Sequence, residues 1–253
     1  NGMFTETGLY SGMHATDWSW APLLMDFDND GLKDLFISNG IPKRLNDMDY
    51  INFVSGEEIQ QSLNANKMDE NYMAQVNKFP EIKIPNKFYR NKGNLQFADL
   101  ADSIGNDKPT YSNGAVYADL DNDGDLDVIV NNIDDAVQVY ENKSSDKSGN
   151  RSITLTLKGP SQNRNAIGAK VVVFSGKHIN TYENFPVRGF QSSMQVPLHI
   201  GLGREKFDSA FLVWPDNTYQ PFSYVDSSRL TFSYSRGLPR FDYSRINSLF
   251  HST

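Results

Sequence analysis

The chain has 253 residues, a mass of 28.6 kDa and 31 Asp plus Glu against 24 Lys plus Arg, a formal charge of −7. Cysteine is absent, which excludes disulfides, thiol catalysis and cysteine-based zinc sites. No apolar run approaches the ~20 residues that span a bilayer. The acidity is uneven: residues 1–149 hold 25 acids and 12 bases, residues 150–253 hold 6 acids and 12 bases. Such asymmetry points to two domains, and an overall acidic balance argues against the basic contact stripe of a nucleic-acid binder.

The opening Asn1-Gly2-Met3-Phe4 reads as neither an initiator nor a signal segment, so the chain is expected to be a piece of a longer protein. Sliding the sequence by 93 residues aligns 1–39 with 94–132 without a gap. Asp26, Asp28, Asn29, Asp30, Gly31 and Asp34 then recur as Asp119, Asp121, Asn122, Asp123, Gly124 and Asp127. A second match, Tyr89-x-Asn91-Lys92 with Tyr140-x-Asn142-Lys143, has a shift of 51. The difference of 42 residues is an insertion in the first copy, between roughly 41 and 84. A unit of 51 residues with several short strands has the size of a propeller blade.

Leu35-Phe36-Ile37, Val128-Ile129-Val130 and the stretch from Ala136 to Tyr140 read as strands. Within the insertion, Ser55-Gly56-Glu57-Glu58 resembles a capping box, Ile59, Leu63, Asp69, Tyr72, Met73 and Val76 keep a helical spacing, and Pro80 ends it. One or two helices lying on the blades are expected there. Residues 143–151 form a polar linker. Beyond it, Ile153, Leu155 and Leu157 alternate with Thr154, Thr156 and Lys158, and Val171–Phe174 and Phe211–Trp214 are further strands. The expected fold is all-β: a partial β-propeller of about two blades over 1–142 with its helical insertion, then a small β-sandwich-like domain over 152–235. Residues 236–253 read as a tail or a linker to a further domain. Two blades cannot close a propeller, because sheet edges would remain open.

Each repeat carries the pattern D-x-D-N-D-G-x-x-D, from Asp26 to Asp34 and from Asp119 to Asp127. Calcium is a hard cation that takes six to eight oxygens. Alternate aspartates in a tight loop aim their carboxylates at one centre, and glycine at the sixth position permits the turn. The expected ligands are Asp26, Asp28, Asp30 and Asp34 with the Leu32 carbonyl, and Asp119, Asp121, Asp123 and Asp127 with the Asp125 carbonyl. An EF-hand would place a bidentate glutamate at the twelfth position, which here is Ile37 or Val130. The bare alternative is a solvated acidic turn, but five aspartates within 119–127 repel one another unless a cation or a raised pKa relieves them. Magnesium fits less well, since it keeps its waters and prefers one or two carboxylates.

These loops, with Ser112-Asn113-Gly114-Ala115 upstream and Tyr140-Glu141-Asn142-Lys143 downstream, resemble FG-GAP/VCBS repeats, the blades of integrin-α-like and related propellers whose loops bind calcium. The first copy departs from the pattern upstream, with Ser19-Trp20-Ala21-Pro22. Asn163–Ala169, Arg188-Gly189-Phe190-Gln191-Ser192, His199-Ile200-Gly201-Leu202-Gly203 and Val213-Trp214-Pro215-Asp216 resemble an UnbV/ASPIC domain. The pairing is similar to the cartilage acidic protein family and to large secreted or outer-membrane-associated bacterial relatives. It implies an extracellular or outer-membrane-associated location and a protein or glycan ligand at the cell surface, with no nucleic acid and no direct membrane span.

No catalytic residues come with that resemblance, and His14, His178, His199 and His251 lie scattered without H-E-x-x-H, G-x-S-x-G or Walker patterns. His199 reads as a structural histidine. Arg164, Asn165 and Arg188 suit either a small anion or glycan site or plain turn support. Trp18, Trp20 and Trp214 suit either sugar stacking or core packing. The expected function is a non-enzymatic calcium-binding adhesion or scaffold module with two Ca2+ sites. The alternatives are a glycan-binding or polysaccharide-processing accessory module and a regulatory or chaperone-like partner domain. Residues 26–34 and 119–127 together carry −8, so the rest of the chain sums to +1.

Overall fold

The computed structural model describes residues 4–43, 81–105, 107–176, 178–204, 207–223 and 228–244, with 48, 51, 52, 55–57, 59, 61 and 246. The described chain is nearly all β, in four sheets, none of them closed. The first sheet is a meander of β1 (Ser19–Met25), β2 (Asp34–Asn39), β3 (Lys87–Asn91) and β4 (Phe97–Asp99). The second is β5 (Tyr111–Ala118), β6 (Asp127–Ile133) and β7 (Gln138–Tyr140). Both are antiparallel: short connections join β1 to β2, β3 to β4, β5 to β6 and β6 to β7, whereas the insertion lies between β2 and β3. The helices expected across 41–84 fall mostly outside the described residues; positions 48, 51, 52, 57, 59 and 61 are helical.

The internal repeat is reproduced down to its irregularities. The β1–β2 ladder shifts register between Ser19 and Pro22, and the β5–β6 ladder between Ser112 and Ala115, positions related by the same 93-residue shift. A bulge bends and twists a strand, so both blades curve alike. In the first blade, Ala21 N–H donates to Ser38 Oγ at 3.0 Å. The departure of Ser19–Pro22 from the repeat pattern therefore leaves the blade geometry intact. Gly114, the second-blade counterpart of Ala21, faces the Ser192 hydroxyl and the Phe190 carbonyl, which a Cβ would approach to 2.8 and 3.1 Å.

The C-terminal part pairs two sheets face to face. One is β11 (Leu198–Gly203), β8 (Arg151–Lys158) and β14 (Arg229–Ser233), the last parallel to β8. The other is β10 (His178–Glu183), β9 (Lys170–Ser175), β12 (Ser209–Val213) and β13 (Tyr219–Phe222). Ile153, Leu155, Val171, Ile200, Leu212 and Trp214 form the core between them. Trp214 is buried there with its Nε1–H donating to Gln220 Oε1 at 3.1 Å, so this tryptophan is core and not a sugar platform. The tail behaves differently from a free linker as far as Phe241. Phe241 N–H donates to the Asn217 carbonyl, and its ring packs among Phe211 and Tyr219.

A second core lies between the two blades, and the sandwich contributes to it. Leu23, Phe36 and Phe88 from the first blade meet Val128 and Val130 from the second, with Phe190, Met194 and Val196 packed against them. These last three belong to the connection between β10 and β11. Gly189, at φ +71, lets that connection run close over β1 and β5, where a Cβ would meet the Ala115 carbonyl at 3.1 Å and Leu23 Cδ2 at 3.3 Å. The open pair of blades is thus capped by the Arg188–Ser192 segment.

Candidate metal centres

The loops from Asp26 to Asp34 and from Asp119 to Asp127 share the same pattern of left-handed residues. Asn29 and Asn122 take φ +58 and +67, and Gly31 and Gly124 take +91 and +94. This run of left-handed residues is the turn that asparagine and glycine tolerate best. The ninth-position aspartates anchor each turn. Asp34 Oδ2 accepts from Phe27 N–H and Oδ1 from Asn91 N–H, both at 2.7 Å. Asp127 does the same with Leu120 N–H at 3.0 Å and Asn142 N–H at 2.8 Å. The Tyr-x-Asn-Lys element of the repeat thereby acquires a reason: its asparagine, at or just past the end of the third strand, ties that strand to the acidic loop.

Carboxylate oxygens of Asp26, Asp28 and Asp34 lie within 4.8 Å of one another, as do those of Asp119, Asp121 and Asp123. Each group is able to hold a metal ion. Asp30 and Asp127 stand outside these tightest sets, Asp30 Oδ1 accepting from Leu32 N–H at 2.7 Å. The Asp125 carboxylate is fully buried and engaged elsewhere, with Oδ1 accepting from Asn29 Nδ2 at 2.8 Å and Oδ2 from Ser145 N–H at 2.7 Å. Leu32, whose N–H is held by Asp30, has only its carbonyl to offer an ion, as any leucine would.

The electrostatics fit a cation. Burial raises the Asp26 pKa to about 8 despite the Gly31 N–H bond, with Asp34, Asp30 and Asp28 adding repulsion. Burial likewise raises Asp34 to about 7, against its two backbone N–H bonds. In the second loop, Asp119 Oδ1 is buried with no hydrogen-bond partner. A buried carboxylate oxygen without a donor is costly, and a divalent ion supplies the missing partner. Arg90 lies 3.7 Å from Asp28 and Arg229 3.7 Å from Asp119, too far for tight bidentate pairing.

Both loops face the sandwich. Asn180 Nδ2 donates to the Gly31 carbonyl at 3.0 Å, and Lys33 Nζ to the Thr181 carbonyl at 2.8 Å. In the connecting segment 143–151, Asn150 Nδ2 donates to the Asp28 carbonyl at 2.7 Å. Ser152 Oγ donates to the Gly124 carbonyl at 2.9 Å, and Arg229 to Asn122 Oδ1 at 2.6 Å. A cavity of about 270 Å³ remains between the second loop and β8, lined by Asp119, Asp123, Arg151 and Arg229 among others.

Three residues central to this junction are absent from the expected ligand sets. Asn29 is 1% exposed and sits between the two loops. His199 Nε2 lies 2.6 Å from Asn29 Oδ1, and its buried Nδ1 has no hydrogen-bond partner. Burial holds the His199 pKa down at about 4, so the ring is neutral. Gly201 passes so close to the first loop that a Cβ would fall 1.9 Å from Asp26 Oδ2. The sequence signals were present in the recurring Asn29/Asn122 pair and the His199–Gly203 motif; what was missing was that the two meet. Arg188, by contrast, supports a turn, donating to the carbonyls of Glu183 and Phe185. Trp20 packs against Phe190 with ring centroids 4.6 Å apart and the planes tilted by 43°.

Paired blades with acidic hairpin loops and a capping sandwich define a propeller-type repeat module with an appended β-domain. A profile of the FG-GAP-like repeat matches residues 83–130, and one of the ASPIC and UnbV domain matches residues 159–237. The chain combines an FG-GAP repeat with an UnbV/ASPIC domain, as its motifs led us to expect. The first match takes in the second acidic loop; the first loop is tied to it by the internal repeat. No curated protein is found to match the chain. No helix among the described residues is long and apolar enough to cross a membrane.

Proposed function

We propose that this chain is a non-enzymatic, calcium-stabilised adhesion or scaffold module of an extracellular protein, with one Ca2+ in each aspartate loop. The observation that carries the reading is the paired clustering of three carboxylates in each loop, one loop holding a buried carboxylate oxygen without a donor. Oxygen-only donors suit a hard cation, and loops of this type serve at the millimolar calcium found outside cells. FG-GAP repeats usually occur in extracellular proteins and act in protein interaction, which supports the placement. Val137 and Val139, each more than half exposed, line a cavity of about 770 Å³ beside the second blade, which would suit such an interaction.

The role of calcium is structural in this reading. Each ion would hold a hairpin loop against its neighbours and neutralise charge that the sandwich buries by docking. Thermal unfolding with calcium and with excess chelator tests it. The midpoint is expected to fall by several degrees or more on chelation, since a ligand at 100 times its Kd contributes about 2.7 kcal/mol. An unchanged midpoint contradicts the proposal.

A further inference from the structure

We infer that Asn29 couples the two ion sites, so that filling one loop tightens the other. The inference rests on the calcium reading above and adds to it a route between the sites. Asn29 belongs to the first loop, directly after Asp28, yet its side chain serves the second. Its Nδ2 donates to the Gly124 carbonyl at 3.1 Å and to Asp125 Oδ1 at 2.8 Å. With both amide hydrogens committed to acceptors, its Oδ1 must face His199, and His199 Nε2 carries the proton. The Asn29 carbonyl accepts from Gly203 N–H at 2.7 Å. One buried residue therefore fixes the first loop, the second loop and the β11 end of the sandwich in a single arrangement.

The consequence follows from how such turns order. Without an ion, the carboxylates of Asp26, Asp28 and Asp34, crowded within 4.8 Å, oppose the turn that carries Asn29, through mutual repulsion or the protons that must relieve it. An ion in the first loop removes that repulsion, holds the Asn29 backbone in place, and with it presents Nδ2 to Gly124 and Asp125 in the second loop. Ordering that one site has already provided need not be repeated by the other, which is positive coupling. By linkage the effect is reciprocal. Asn122, at the same position of the second loop, turns outward to Arg229 and makes no such bridge. The coupling therefore runs through one asparagine of the pair.

Calcium titration calorimetry on the chelator-stripped chain tests this with site-directed variants. Asp28→Asn disables the first loop and is expected to weaken calcium binding at the second by about fivefold or more. Asn29→Gly keeps the left-handed backbone but removes the bridge. In that background, adding Asp28→Asn should leave the second site unchanged. Asn122→Gly should leave the coupling intact. An unchanged second-site affinity in Asp28→Asn overturns the inference while the calcium reading stands. Coupling that persists in Asn29→Gly overturns the assigned route. Absence of any binding to the unaltered chain overturns the calcium reading itself.

Discussion

Gly201→Ala is expected to unseat the sandwich from the first acidic loop. The added Cβ would lie 1.9 Å from Asp26 Oδ2, 2.8 Å from its Cγ and 2.9 Å from the Asn29 Cα. Two of those atoms belong to a buried carboxylate held by backbone N–H groups and the third is backbone, so room is made only by giving up bonds. Either β11 retreats, pulling Gly203 N–H from the Asn29 carbonyl, or Asp26 moves and gives up the Asp30 and Gly31 N–H groups it holds at 3.1 and 2.8 Å. Overpacking of this kind costs about 1–3 kcal/mol. Displacing Asp26 also disperses the first carboxylate group, so calcium affinity there should fall about tenfold or more, a loss of about 1.4 kcal/mol per decade. Urea unfolding and calcium titration read the two effects separately, and wild-type values for both would show that the junction is looser than its geometry.

Asp127→Ala separates the structural use of an aspartate from its use as a ligand. Asp127 is 2% exposed and holds the backbone N–H groups of Leu120 and Asn142. Removing the carboxylate leaves both without an acceptor, at about 1–3 kcal/mol for each group left unpaired. A loss of roughly 2–6 kcal/mol is therefore expected even in calcium-free buffer, measured by urea unfolding. Asp121→Asn is the contrasting variant. Asp121 is exposed, and the amide oxygen can still accept from Asp123 N–H, which Asp121 Oδ1 takes at 3.2 Å. It should keep calcium-free stability while losing the ion at its own loop. Equal calcium-free losses in the two variants would mean that the ninth position is an ordinary loop residue.

Much of this architecture was legible because it repeats. The 93- and 51-residue shifts matched the segments that form the two blades, the apolar runs Leu35–Ile37, Val128–Val130 and Ala136–Tyr140 marked β2, β6 and β7, and the alternation of Ile153, Leu155 and Leu157 oriented β8. Local turn chemistry, Asn then Asp then Gly, located both acidic loops. The junction was not legible, because it depends on tertiary contacts across long separations. Asn29 meets Gly124 and His199, 95 and 170 positions away. Nothing in a nine-residue pattern distinguishes the inward Asn29 from the outward Asn122. The same holds for the tail, where Phe241 lacks any period but finds a pocket beside Phe211 and Tyr219. Gly201 lay within a recognised motif, yet its reason is a neighbour from the other domain. The opening charge imbalance also takes on a location: the acidic loops of the first half are the surfaces against which the more basic second half packs.

Equilibrium dialysis of the chelator-stripped chain against about 1 mM calcium tests the central claim most directly. Two ions bound per chain are expected, falling to one in Asp28→Asn and to one in Asp121→Asn. No bound calcium, or binding that neither substitution changes, would contradict the assignment of the two loops as ion sites.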